Sequence, residues 1–449
     1  MSRLTITIAA ILLLASSSAC GGDRSLWHVS LETRPFGPVE FHIELDREAD
    51  GLRGASLSGA LALLRDLPGG QQIDDGLMEF TANRTENDSY IGEITAPWKK
   101  GTIELSIDAN EFSGSIEGGL FAGPISGTRV TTAVSIRDYP AILAAFDAVV
   151  ASRIFSPADL HRPAYAQFRE QLGQIAAVAT NDLDLLFGFD WSWQDDPFSH
   201  FELKRSRRRA EELFAFFDNY RVGFEAATVE FDDEIAILKV RTMMGADTIE
   251  QIVAAYARIA VEQPRALIID LRGNGGGAFA VKPLVEHVID EPVDAGYFLS
   301  QVWNRAHDRL PTTEEILAVT PWTGWSISAF WKSVQESAIL RVQFHPATPN
   351  YDGPVFVLLD ATSASATELA ADAFRSSGIT TIIGQPTAGQ MLSQSMFDVA
   401  DGFIVSLPVA DYYSVENGRI EGTGVPVDIA TAPDEAIDKA RQLAREAIQ

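Results

Sequence analysis

The hydrophobic residues of this chain change their spacing twice, and these changes constrain its fold more than any other feature. From residue 24 to about 135, short runs such as Val39–Leu45 alternate apolar and polar residues, which is typical of half-buried strands. From 138 to 222, apolar residues recur every three or four positions, as in amphipathic helices. From 223 to 449, uninterrupted apolar runs such as Val355–Leu359 alternate with helical segments. The sequence therefore predicts a multidomain α+β fold with a β-rich sandwich or barrel, a helical region and an α/β core.

The first 20 residues have the features of an export signal. Arg3 supplies a positive charge, Leu4–Ala15 an apolar stretch too short to span a bilayer, and Ser16–Ala19 a zone of small residues. Cys20 follows, the only cysteine in the chain, and its position resembles that of the lipid-modified cysteine of bacterial lipoproteins. Cleavage by the general signal peptidase, with Cys20 unmodified, is the alternative. We expect a location on the periplasmic side of the cell envelope, with membrane contact only through a lipid anchor at Cys20.

Composition excludes several classes of function. The chain has 62 Asp and Glu against 35 Lys and Arg, a net charge of −27, and such a surface repels phosphate backbones, so we expect no nucleic-acid partner. The seven His are scattered and one Cys cannot build a zinc site, so we expect no metal. No phosphate-binding or dinucleotide-binding motif is present, and we expect no cofactor. Glycosidase chemistry is not excluded by composition, but no carboxylate pair stands out among the acidic residues.

Two loops follow predicted strands of the α/β core, where open sheets place their sites. Asp270–Gly277 (DLRGNGGG) contains three consecutive glycines, which suit either an ordinary turn or an anion-binding nest of N–H groups. Asp360–Glu368 (DATSASATE) precedes a predicted helix, so its hydroxyls suit either helix capping or a nucleophile beside the positive helix end. Residues 296–352 show little periodicity and are predicted to form an insertion near the site.

Three segments together resemble the C-terminal processing, tail-specific and tricorn-core serine peptidase family. They are IIDLRGNGGG at 268–277, VFVLLDATSASATELAADAF at 355–374 and IIGQPTAGQ at 382–390. The resemblance extends over about residues 140–449 and implies that Ser365 is the nucleophile. It also implies that the N–H groups of Gly276 and Ala366 form the oxyanion hole, where one donor is typically worth about 3 kcal/mol in the transition state.

The chain departs from one branch of that family. Gln390 occupies the position of the lysine base, and an amide cannot take a proton from serine. Either the protein is inactive, or its base lies elsewhere. The tricorn-like branch uses a Ser-His pair and a late glutamate, which Ser199-His200 and Glu421 resemble. This resemblance implies His200 as the base, with Ser199 and Glu421 as its polar support, because an imidazole near pKa 6.5 accepts protons at neutral pH.

The sequence thus predicts an exported serine peptidase that hydrolyses a peptide or protein substrate through an acyl-enzyme on Ser365. Its expected units are a signal at 1–20, a β-rich domain at 24–135, a helical region at 138–222 and the peptidase core at 223–449. No PDZ-like module is recognisable between the helices and the core, so tail specificity is not predicted. Two alternatives stay open: an inactive family member that binds a ligand or protein as an envelope lipoprotein, and a scaffold whose β-rich domain binds the partner.

Overall fold

The computed structural model describes residues 23–449 except 34–35, 98, 119–121, 133–134, 194–197 and 325. The predicted signal sequence and Cys20 lie outside the described residues, so export and lipidation stay predictions, as do the domain boundaries. In the described part of the chain, no helix has both the length and the apolar character needed to cross a bilayer.

The N-terminal unit is a closed antiparallel barrel of eight strands. Its elements are β1 Asp23–Thr33, β2 Gly37–Arg47, β3 Gly51–Ser56, the short helix α1 Leu61–Arg65, β4 Glu79–Arg84, β5 Tyr90–Ala96, β6 Lys99–Ile107, β7 Glu111–Gly118 and β8 Gly123–Arg129. Each strand pairs with the next, and β8 closes on β1 with Trp27 opposite Arg129. The alternating residues, among them Trp27, Phe41 and Ile103, are buried in the core. The structure thus confirms the predicted β-rich unit and selects the barrel.

A helical region follows the barrel. It contains α2 Tyr139–Arg153, a 3₁₀ turn Pro157–His161, α3 Pro163–Val178, α4 Asp182–Ser192, strand β9 Glu202–Arg205 and α5 Ala210–Asp218. The helices pack through aromatic rings: the Phe168 and Phe189 ring centroids lie 5.2 Å apart. Helix α4 has no amphipathic period because almost all of its residues are buried. The Asn181 side chain caps its start by accepting the Asp184 N–H.

The α/β core contains the remaining elements. They are β10 Ala227–Asp232, β11 Ile235–Val240, α6 Ala246–Glu262, β12 Ala266–Asp270, α7 Val281–Glu286, β13 Val293–Ser300, α8 Gln301–Ala306, α9 Thr313–Leu317, α10 Ile327–Glu336, β14 Ile339–Phe344, β15 Val355–Leu359, α11 Ala366–Ser377, β16 Thr380–Gly384, β17 Ser393–Asp398, β18 Phe403–Ser414, β19 Gly418–Arg419, β20 Ile429–Ala430 and α12 Ala436–Ala447. Six strands form a sheet in the order β10-β11-β12-β15-β16-β20, parallel except for β10. The predicted α/β layer is confirmed.

A second sheet has the strand order β14-β13-β18-β17, and helix α11 contacts strands of both sheets. Strands β13 and β14 come from the segment 296–352, which was predicted to form an insertion near the site, and from the residues just before it. Strand β9 of the helical region pairs with β18 through Phe403–Ser406. This pairing carries the residues just before β9 to the edge of the core, where the two polar loops lie.

Candidate active site

The two loops meet because their strands are neighbours. Strands β12 and β15 are parallel and adjacent, with Leu267 opposite Val355, so their carboxyl ends share one edge of the sheet. The Gly273 N–H donates to Asp360 Oδ2 at 3.0 Å, and the Ala364 N–H donates to the Asn274 carbonyl at 3.1 Å. These bonds join the glycine loop to the serine loop, as their common position after buried strands predicts.

Ser365 lies at the start of α11 in a strained backbone conformation. Its φ of 56° and ψ of −120° are unusual for a residue with a side chain, and such conformations concentrate at functional sites. Glu368, one turn later, accepts the Ser365 N–H at 2.9 Å. The Ser365 side chain is partly exposed, so its hydroxyl is accessible to a ligand.

Glu368 is fully buried and fixes the shape of the site. Besides Ser365, its carboxylate accepts the Thr387 hydroxyl at 2.6 Å and the N–H groups of Gly389 and Gln390 at 2.8 Å each. Burial raises the pKa of Glu368, and these hydrogen bonds act in the opposite direction. Sequence reasoning treated this residue only as a neighbour of Ser365. Its spacing of three from a helix-start serine, as in a capping box, is the signal that could have identified it.

His200 comes from the loop before β9. The flanking Phe198 and Phe201 are buried, which anchors the loop, and His200 itself has a φ of 60°. Its Nε2 lies 3.2 Å from Ser365 Oγ. The structure therefore brings together two side chains that are 165 residues apart in the sequence, at the distance of a hydrogen bond.

Ser199 and Glu421 complete a chain of hydrogen bonds behind the imidazole. Ser199 Oγ lies 2.7 Å from His200 Nδ1 and donates to Glu421 Oε2 at 3.1 Å. Glu421 also accepts the N–H groups of Ser199 and Met391, at 2.9 and 2.7 Å. A carboxylate can only accept, so the Ser199 hydroxyl must point to it and offer its lone pairs to His200 Nδ1–H. This assigns the proton to Nδ1 and leaves the Nε2 lone pair facing Ser365.

The surroundings of His200 favour its neutral form. Burial lowers the pKa of the imidazole below its ordinary value of 6.5, while the negative charges of Glu421 and Glu202 raise it. The effect of burial is the larger, so the pKa of His200 is lowered overall. The ring is therefore unprotonated, and able to accept a proton, at neutral pH.

The two N–H donors predicted from the sequence, on Gly276 and Ala366, have different environments. The Gly276 N–H already donates to Asn274 Oδ1 at 2.9 Å, so it is not free in this structure. Gly276 instead provides space, because a Cβ there would lie 2.5 Å from the Ala364 carbonyl oxygen and 2.8 Å from the Ser365 Cβ. The N–H groups of Ala366 and Gly277 have no acceptor among the described residues, and both residues line the cavity next to Ser365. Spacing alone could not tell which of three glycines faces the cavity.

Gln390 does not take part in the hydrogen-bond chain. Its side chain is exposed, and its backbone N–H is held by Glu368. Among the residues that the structure describes, no group of three or more His, Cys, Asp and Glu side chains is placed to hold a metal ion.

Comparison with known proteins identifies the family of the core. Residues 234–431 match the sequence model of peptidase family S41, and this part of the chain is a domain of that family. The carboxyl-terminal-processing protease of Synechocystis sp. is 24% identical over 198 residues, which cover 44% of this chain and 37% of that protein. The protein of the same name from Picosynechococcus sp. is 34% identical over 92 residues, 20% of this chain and 22% of the relative. The chain thus aligns with well under half the length of these relatives.

A solved structure, the photosystem II D1 C-terminal processing protease, has a TM-score of 0.44 and 15% identity to this chain. The match covers 70% of this chain and 98% of that one.

Proposed function

We propose that this chain is a serine peptidase that hydrolyses peptide bonds through an acyl-enzyme on Ser365, with His200 as its general base. The observation that carries the proposal is the continuous hydrogen-bond chain from Glu421 through Ser199 and His200 to Ser365. Membership of the core in peptidase family S41, and its similarity to carboxyl-terminal-processing proteases, supports a peptide or protein substrate. The position of Gln390 is compatible with activity, because His200 supplies the base.

In the proposed mechanism, Ser365 Oγ attacks the peptide carbonyl carbon while its proton passes to His200 Nε2. The imidazolium then donates that proton to the leaving amine, and the C–N bond breaks. A water molecule, deprotonated by the same nitrogen, hydrolyses the ester and restores the hydroxyl. Throughout, Nδ1–H stays bonded to Ser199, which holds the ring in the productive orientation. Glu421 stabilises the positive charge that develops on the ring.

The developing oxyanion needs N–H donors that are free and directed to the cavity. We place this role on the N–H groups of Ala366 and Gly277, because neither has an acceptor within the described part of the chain and both line the cavity. Ala366 is also the first residue of α11, so the positive end of the helix dipole adds to its N–H. Gly276 was predicted from the sequence for this role. In this proposal it contributes instead by having no side chain, which leaves space beside Ser365.

The direct test is covalent labelling with a desthiobiotin fluorophosphonate, which phosphonylates an activated serine with loss of fluoride. We expect one adduct, on the tryptic peptide Val342–Arg375, and fragment ions should place it on Ser365 and not Ser363. Gln390→Ala should label at a rate within about threefold of wild type, since its side chain is exposed and outside the hydrogen-bond chain. No adduct on the native protein, or an adduct on Ser363, would overturn the proposal, and the first result would favour a binding protein.

The rate of labelling should depend on pH through His200. A base acts only when unprotonated, so lowering its pKa extends activity to lower pH, and we expect half-maximal labelling below pH 6.5. Glu421→Gln removes a charge that raises the pKa of His200, so its midpoint should lie lower still. Labelling rates from pH 4 to 9 measure both midpoints, with circular dichroism to confirm folding at each pH. A wild-type midpoint above 6.5, or an upward shift in Glu421→Gln, would contradict this assignment.

A further inference from the structure

The cavity beside Ser365 is walled mainly by apolar and aromatic side chains. It has a volume of about 220 Å³, and its lining includes Phe217, Phe298, Trp322, Phe330, Trp331 and Met396. An apolar cavity of about 150 Å³ is enough to bind benzene, so this one can hold an aromatic ring. His200, Ser365 and Ala366 lie in the same wall, which places any side chain in the cavity directly next to the reacting hydroxyl.

Two lysines, Lys204 and Lys282, line the cavity, but they do not make it a binding site for a substrate carboxylate. Lys282 lies 3.3 Å from the carboxylate of Glu286 and donates to the Thr323 carbonyl at 3.0 Å. Lys204 forms an ion pair with Glu202. Both ammonium groups are thus balanced by neighbouring carboxylates, and the aromatic surface dominates.

One wall of the cavity comes from the N-terminal barrel. Phe36 lies just before β2, in the connection from β1, and lines the cavity together with residues of the core. It packs against a small buried cluster of Ala210, Leu213, Met396 and Ile404, as Phe217 and Trp331 also do. The Lys204 ammonium lies 4.7 Å from the centre of the Phe36 ring, a cation–π contact.

Backbone contacts hold Phe36 in this position. Its carbonyl accepts the Arg207 N–H at 3.1 Å and the Ser206 hydroxyl at 3.3 Å, both from the segment after β9. Gly37 approaches the Arg207 nitrogen so closely that a Cβ would lie 2.7 Å from it.

A buried carboxylate ties the same part of the barrel to the helical region. Asp182 accepts the N–H of Glu40 on β2 at 3.0 Å and pairs with Arg205 on β9 at 2.9 Å. The start of β2 is therefore fixed to the strand that directly follows the His200 loop.

Phe36 also borders a second cavity. This cavity, of about 330 Å³, shares Phe36 and Lys204 with the first. It is lined by charged side chains as well, namely Asp190, Glu202 and Arg205. Phe36 therefore belongs to the walls of both an aromatic cavity and a charged one.

From these contacts we infer that Phe36 of the barrel is a specificity-determining residue, which closes a subsite for a large apolar or aromatic substrate side chain next to the scissile bond. The inference rests on the proposed peptidase function. It gives the barrel a defined role, since this domain completes the substrate site of the core.

The test uses two biotinylated diphenyl phosphonates, analogues of phenylalanine and alanine, which phosphonylate a serine nucleophile with loss of phenol. Wild type should react about tenfold or more faster with the phenylalanine analogue, and Phe36→Ala should reduce that ratio by about tenfold. Phe36→Leu, which keeps an apolar wall, should retain most of the ratio. Phe216→Ala is the matched control: it removes a half-buried ring on α5 that is outside the cavity, and the ratio should not change.

The outcomes separate this inference from the proposed function. If wild type and Phe36→Ala label equally well with the fluorophosphonate, the nucleophile is intact, and an unchanged ratio then overturns the role of Phe36 alone. If wild type labels with neither reagent, both the peptidase function and the subsite are wrong. If Phe36→Ala unfolds, as its melting temperature will show, Phe36→Trp decides: its larger ring should change the ratio, and a ratio equal to wild type contradicts the inference.

Discussion

Replacing Ser365 with Ala should abolish fluorophosphonate labelling and lower the rate of hydrolysis of fluorescein-labelled casein by a factor on the order of 10⁶. The hydroxyl forms the covalent intermediate, and within the described residues no other hydroxyl lies against His200 Nε2. What residual rate there is would come from the oxyanion hole and substrate binding alone. The measurement is the initial rate of casein hydrolysis at pH 7.5, compared with a protein-free blank.

Ser363→Ala is the control for this variant. Ser363 is two residues away and fully buried, and its hydroxyl oxygen lies 3.0 Å from the Leu271 carbonyl, to which it donates, and 3.3 Å from Asp360 Oδ1. Its loss should lower the free energy of unfolding by about 1 kcal/mol, the usual contribution of such a hydrogen bond, and lower the hydrolysis rate by less than tenfold. Equal rates in wild type and Ser365→Ala, with Ser363→Ala inactive, would move the nucleophile to the other serine.

The sequence was sufficient to place Ser365, His200, Ser199 and Glu421 in one hypothesis, and the structure brings all four side chains together. The resemblance to known motifs made this possible, because spacing along the chain says nothing about a contact between residues 165 positions apart. Their catalytic roles are the part that the labelling experiments test. The period of two from residue 24 to about 135, and the uninterrupted apolar runs of the core, likewise allowed the fold class to be predicted.

Other features could not be predicted, for physical reasons. Helix α4 and strand β18 are buried on nearly all sides, so their apolar residues show no period that would separate helix from strand. Three consecutive glycines give no indication that Gly276 bonds to Asn274 while Gly277 faces the cavity. Phe36 is half-buried in a turn of another domain, 170 residues from its partner Ser206, and only the packing of the barrel on β9 reveals its position.

Replacing His200 with Gln should reduce casein hydrolysis almost as much as Ser365→Ala, by a factor on the order of 10⁶. The reason is that removing the base alone costs a serine hydrolase about as much activity as removing the nucleophile. Gln keeps polarity and approximate length but cannot accept a proton near neutral pH. His345→Gln is the matched control, since this histidine is exposed and is not one of the residues that line the cavity, and its rate should equal that of wild type.

The double variant Ser365→Ala/His200→Gln tests whether the effects of the two residues on the hydrolysis rate are coupled. If His200 works only by taking the Ser365 proton across the 3.2 Å contact, removing it from an enzyme that already lacks the hydroxyl costs nothing further. The double variant should then hydrolyse casein at the rate of Ser365→Ala, within about twofold. If the two losses multiply instead, His200 acts independently of Ser365, for example on a water molecule, and the acyl-enzyme mechanism must be abandoned even though both residues are essential.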